Sequence, residues 1–162
     1  DSGQVGLLVF LFQFWSIPAS FVTPILAGRM ADQRLLAGLS GFFYAAGFGL
    51  LFLLPGAPMP LLIGIMFFMG LSSGMTISMA MLLFNVRTPD VATAARLSGL
   101  AQSAGYLMAG IGPVAIGGVY DRFGSWQWPL LFLTAAAVVV VVAGYLAGRD
   151  RLVAPVYEAT DE

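Results

Sequence analysis

The stretch VGLLVFLFQFWSIPASFVTPILA, residues 5–27, followed at once by GRMADQR, residues 28–34, decides what kind of protein this is. The first segment carries no charge and is long enough as a helix to cross a hydrocarbon core of roughly 30 Å. The second gathers Arg29, Asp32 and Arg34 into a short polar connection. A backbone passing through lipid has to satisfy its hydrogen bonds within its own segment, so the apolar run is expected to be a transmembrane helix. The charged segment is then the turn outside the membrane.

The same pattern recurs along the chain. Further apolar runs cover residues 35–54, 61–84, 97–119 and 130–147, separated by breaks rich in proline, glycine and charge, with a polar tail at 148–162. The expected fold class is therefore all-α integral membrane, with five transmembrane helices in a single partial membrane domain spanning residues 1–162. Composition agrees: 59% of residues are hydrophobic, 9% are charged and the mean hydropathy is +0.92. A soluble domain carries about 25% charged residues, and this chain has too few to cover a globule in water. The N-terminal Asp1-Ser2-Gly3-Gln4 has neither an initiator Met nor the basic start of a signal peptide, and reads as a cut edge inside a longer protein.

Several chemistries are excluded by what is missing. There is no Cys and no His, so disulfide, thiolate and imidazole–metal chemistry are absent. No cofactor, metal or catalytic residue is expected. A membrane-embedded enzyme would want His, Cys, paired carboxylates or a serine–base pair at membrane depth, and none is available. A net charge of −1 and the lack of a basic run argue against a nucleic-acid partner.

Orientation follows from the arginines, because the chain has no lysine. With connections alternating sides, Arg29, Arg34, Arg87, Arg96, Arg149 and Arg151 share one side, and only Arg122 lies on the other. The positive-inside bias then puts the N-terminus of the chain outside and the tail in the cytoplasm, in the plasma membrane of a cell. Trp126 and Trp128 suit the outer interfacial belt.

The runs differ in what they offer a neighbour. In the first, Gln13, Ser16, Ser20 and Thr23 recur at helical spacing as a polar stripe, with Pro18 and Pro24 permitting kinks. Such hydroxyls commonly bond across helix interfaces; Gln13 is bulkier and costlier to bury, which favours a place on a cavity wall. In the fourth, Gln102 and Tyr106 lie one turn apart, on the same face as Gly110 and Pro113. The glycines of this run, among them Gly99, Gly105, Gly112 and Gly118, allow close helix approach, and glycine- and proline-interrupted helices often line transporter cavities. The third run contains Gly70-Leu71-Ser72-Ser73-Gly74, a GxxxG that more often packs helices than serves chemistry. The second and fifth runs are nearly featureless and are expected to face lipid. Candidate solute-binding residues are therefore Gln13, Ser16, Gln102 and Tyr106.

The segment Gly28-Arg29-Met30-Ala31-Asp32-Gln33-Arg34 resembles the G-x-x-x-D-R loop of the major facilitator superfamily between helices eight and nine, with Gln33 placed where Arg or Lys commonly follows Asp. The segment from Arg96 to Tyr106 is similar to the start of helix eleven in the cyanate and 2-nitroimidazole transporter family, as are Gly112-Pro113, Gly117 to Asp121 and Gly124-Ser125-Trp126. The resemblance implies helices eight to twelve of a twelve-helix bundle, a secondary transporter in which two halves rock about a midplane site. It also implies that the N-terminal half of the same transporter is a partner, together with a small-molecule solute and the lipid bilayer. Arg29, Asp32 and Arg34 become candidate gating residues, with a plain polar turn as the other reading. A non-catalytic membrane scaffold or assembly subunit is the competing function, since GxxxG and interhelical hydrogen bonds would serve it equally.

Overall fold

A computed structural model describes residues 2–153; the part of the expected tail at 154–162 lies outside the described residues. The chain forms α1 (Ser2–Ala27), α2 (Arg34–Leu53), α3 (Met59–Val86), α4 (Val91–Phe123) and α5 (Gln127–Ala147). Four of these, α1, α2, α3 and α5, are long and apolar enough to cross a membrane. The 33 residues of α4 exceed the length needed, but its apolar character is diluted by Gly, Ser and Gln.

The largest departure from expectation is where α4 begins. The polar connection anticipated at 85–96 ends early, because Asp90 caps the helix: its carboxylate accepts from the Thr93 amide at 2.8 Å and from the Thr93 hydroxyl at 2.8 Å. An N-cap of this kind satisfies amides that the first turn leaves without partners. The same bonds from Thr93 hold the Asp90 carboxyl below its ordinary range. At the far end Gly124, with φ of 62°, closes the helix in the left-handed conformation that glycine adopts without a Cβ penalty.

Packing runs in the spatial order α1, α3, α2, α5, with α4 set against α3 and α5. Small residues bring the backbones together. A Cβ placed at Gly70 falls 2.5 Å from the Phe12 carbonyl oxygen, and one at Gly74 would strike the Ser16 carbonyl and the Ser20 amide. The GxxxG of α3 is therefore the seam with α1, where Ala19, Thr23 and Ala27 are buried. A second GxxxG, Gly144 and Gly148, escaped the sequence reading because it straddles the end of a run dismissed as featureless. A Cβ at Gly144 falls 2.6 Å from the Ala37 carbonyl oxygen, and one at Gly148 falls 2.7 Å from the Arg34 Cα. Gly41 answers from α2, against the Val141 nitrogen at 2.7 Å.

Hydrogen bonds reinforce the seams. The Ser40 carbonyl accepts from the Ser72 hydroxyl and from Thr76 Oγ1 at 3.0 Å, joining α2 to α3. Ser78 donates to the Ser20 carbonyl at 2.8 Å, joining α3 to α1. Thus α2 and α5 are bare to lipid on one side only, at Phe42, Leu53, Val139 and Val142, while their glycine faces are sealed.

The seam between α1 and α3 yields a test. Gly74→Ala should force the two backbones apart and destabilise the protein by about 1–3 kcal/mol, the usual scale of overpacking. Gly99→Ala, where an added Cβ meets nothing within 4 Å in this chain, should leave the five-helix packing unchanged. Thermal unfolding of the two variants in detergent checks the contrast; equal melting temperatures would remove the seam from the account.

Candidate functional site

The polar residues singled out above fall into three places. Gln13 is exposed and Ser16 half-buried on α1. Further along that stripe the hydroxyls turn inward on their own helix: Ser20 donates to the Ile17 carbonyl at 2.7 Å and buried Thr23 to the Ala19 carbonyl at 2.7 Å. Gln102 and Tyr106 occupy the middle of α4. Gln102 Nε2 donates to Ser98 Oγ at 2.7 Å, and Tyr106 is 74% exposed. No hydrogen bond joins Gln13 to Gln102 or Tyr106 among the described residues.

The middle of α4 is unlike any other part of the chain. Every residue from Gly99 to Ile111 is exposed, and the glycines at 99, 105, 110, 112, 117 and 118 have open space where a Cβ would stand. The close approach expected of these glycines is not realised against any helix in this chain. Contacts gather at the helix ends instead. Near its start, Ala94 is buried beside α3; near its finish, Tyr120 lies 4.8 Å from Trp126 and Phe123 lies 5.0 Å from Trp128 between ring centroids. Polar side chains at membrane depth generally turn toward a bundle interior or a wet cavity, so this face is chemically suited to one.

The third place is the connection between α1 and α2. Asp32 does not reach a neighbouring helix. Its carboxylate accepts from the Arg34 amide at 2.8 Å and pairs with Arg34 Nε at 3.2 Å, closing a local turn. The Arg34 guanidinium also lies 5.9 Å from the centre of the Tyr145 ring, which ties it to α5. Arg29 is exposed and has no ion pair among the described residues.

The residue that does reach across is Gln33. It is 7% exposed. Its amide nitrogen donates to the Met30 carbonyl at 2.7 Å and to the Ala27 carbonyl at 3.3 Å, and its amide oxygen accepts from Arg87. Arg87, at the end of α3, also pairs with Asp150 at 2.5 Å and donates to the Gly148 carbonyl at 3.3 Å. The Arg87 carbonyl in turn accepts from the Val153 amide at 2.8 Å. One buried guanidinium therefore holds the ends of α1, α3 and α5 and the start of α2. The sequence reading used Arg87 only to set orientation and treated Gln33 as a departure from a motif. The available signal was that departure itself: an uncharged donor–acceptor stands where a cation is usual, and a neutral amide can accept from a guanidinium.

The burial of this cluster ranks its members. Removing Arg87 leaves the buried Gln33 Oε1 without its donor, while the Gly148 carbonyl keeps the Gln33 backbone amide, so Arg87→Ala should cost about 1–3 kcal/mol, the scale of a buried group left unpaired. Asp150, whose side chain is 76% exposed, makes a pair that water screens, and Asp150→Asn should cost less than about 1 kcal/mol. Unfolding of both variants, read by circular dichroism in detergent, checks the order. Equal losses would show that the cluster is held by the ion pair and not by the buried amide.

Comparison with known proteins places these features. The profile of the Major Facilitator Superfamily matches residues 1–160. The chain is 40% identical over 154 residues to the uncharacterized transporter YycB of Bacillus subtilis, covering 94% of this chain and 38% of that protein. It is 32% identical over 152 residues to the 2-nitroimidazole transporter of Escherichia coli, covering 93% of this chain and 37% of that one. It thus spans less than two-fifths of the length of either relative. No solved structure matches the chain. A family match over nearly every residue, on a fold with four helices long and apolar enough to cross a membrane, makes the assignment: this chain belongs to the Major Facilitator Superfamily of transporters.

Proposed function

We propose that the chain supplies helices eight to twelve, within the C-terminal half, of a secondary transporter that moves a small solute across the plasma membrane by alternating access. The observation that carries this reading is the uncovered middle of α4, where Gln102 and Tyr106 stand on an exposed face whose glycines meet no helix of this chain. Such a face needs either a partner or a water-filled pathway, and a central cavity shared with an N-terminal half provides both. The relatives' greater length leaves room for that half.

In this reading Gln102 and Tyr106 bind the solute with an amide and a phenol, and Gln13 and Ser16 contribute from α1. Neutral donors and acceptors suit a small polar or heteroaromatic compound, which agrees with the name of the Escherichia coli relative. Arg29, Asp32 and Arg34 act at the membrane edge on conformational exchange, far from the solute. Gln33 adds a cross-helix contact, to Arg87, that holds this half together while the two halves rock.

Two substitutions in the complete transporter separate these roles. Gln102→Ala should weaken solute binding about tenfold, as the loss of one buried hydrogen bond can, with membrane insertion intact. Asp32→Asn should instead slow transport and change affinity only through the balance of inward- and outward-open forms. Uptake of labelled solute alongside equilibrium binding reads both. If the inserted, unsubstituted protein moves no solute, the scaffold reading takes its place.

Orientation is tested in the cysteine-free background. A single cysteine at Leu54, exposed beside the turn after α2, should react with an impermeant thiol reagent on intact cells. One at Val91, which is 85% exposed, should react only after the membrane is opened. The reverse pattern inverts the topology.

A further inference from the structure

A trough of about 330 Å³ lies at the Arg87 end of the bundle, between the end of α3, the start of α4 and the segment that follows α5. It serves neither the proposed solute face nor the helix seams. Its wall is apolar, formed by Leu83, Phe84, Leu97 and Leu146, and its rim carries Arg87, Arg149 and Arg151. Arg87 is committed to Gln33, Asp150 and Gly148. Arg149 and Arg151 have no ion pair among the described residues, and the Arg149 Nε is buried without a hydrogen-bond partner. The nearby acid, Asp150, is already taken by Arg87.

We propose that this trough binds one anionic phospholipid, with its phosphodiester held by Arg149 and Arg151 and an acyl chain lying along Leu83, Leu97 and Leu146. The argument is charge complementarity joined to shape. Two uncommitted guanidiniums stand where helices α3 and α5 end, at the level of the headgroups, and guanidinium donors match phosphate oxygens in pairs. Beside them the wall is apolar, formed by Leu83, Phe84, Leu97 and Leu146 where the first turns of α4 approach the ends of α3 and α5. A soluble anion would use the arginines and leave the wall empty, whereas a lipid uses both. Anionic headgroups near the membrane surface attract each arginine with a strength worth about a fivefold preference.

The consequence reaches α4. That helix touches the rest of the chain mainly near its ends, and the trough is where its first turns approach α3. A lipid seated there becomes part of the joint between α4 and the bundle, so membrane composition tunes how firmly α4 is held.

Photocrosslinking in nanodiscs tests the site. The protein is reconstituted with phosphatidylglycerol bearing a diazirine on one acyl chain, or with phosphatidylcholine bearing the same group, and labelled peptides are mapped by mass spectrometry. Phosphatidylglycerol should label the segments around Leu83, Leu97 and Leu146 about 25-fold more than phosphatidylcholine does, about fivefold for each of the two arginines. Arg149→Gln with Arg151→Gln should erase that preference, and Arg149→Lys with Arg151→Lys should keep most of it. Equal labelling by the two lipids in the unsubstituted protein overturns the proposal without recourse to any variant. So does a preference that survives the glutamine pair. Loss of the preference in millimolar inorganic phosphate would assign the arginines to a soluble anion and remove the lipid.

Discussion

Helices immersed in lipid gain nothing by hiding apolar side chains from one another, because the surrounding acyl chains are equally apolar, and so association has to come from close van der Waals contact and from hydrogen bonds. The bundle obeys that constraint at each seam. Gly70 and Gly74 admit the carbonyls of Phe12 and Ser16, while Gly41, Gly144 and Gly148 let α2 and α5 touch backbone to backbone. Where the backbones come close, hydroxyls find carbonyls on the next helix, as Ser72 and Thr76 do at Ser40. Leucine and valine mostly face outward.

The seams fix which helices touch, and a different force fixes their ends. Arg87 is buried where the membrane gives way to the polar face, and its charge is compensated by a neutral amide, a carbonyl and one largely exposed carboxylate. Taking a guanidinium out of water costs several kcal/mol unless its donors are met. Meeting them requires the ends of α1, α3 and α5 and the start of α2 to converge. This cluster is therefore a condition on the relative positions of four helices, and a motion that separates any two of them has to break it. Its place at one end of the bundle leaves the other end free of such a tie among the described residues.

The contrast between α4 and the rest follows from the same physics. The helix has abundant glycine, as the seams do, but no partner backbone enters those gaps within this chain. Its polar groups are spaced along an open face instead of being spent on interhelical bonds. The Bacillus subtilis and Escherichia coli relatives are each more than twice as long as this chain, and in the function proposed above the rest of such a protein would cover the face of α4 that no helix here meets.

Much of this was legible in the residue order. Charge-free runs of bilayer length dictate helices, since no other backbone satisfies itself in lipid, and the five runs found from composition match the five helices to within a few residues except at Asp90, where a side-chain cap extended α4 backward. The GxxxG at Gly70 announced a packing seam because small residues at that spacing have little other use in a membrane. Partnership was not legible. Nothing local in Gln33 says that it meets Arg87, more than fifty positions away, nor that Asp32 turns back onto Arg34 while its neighbour crosses to another helix. Nor could spacing alone tell the glycines of α3, which are filled, from those of α4, which are open. Periodicity assigns a residue to a face, but only the arrangement of all the helices decides what that face meets.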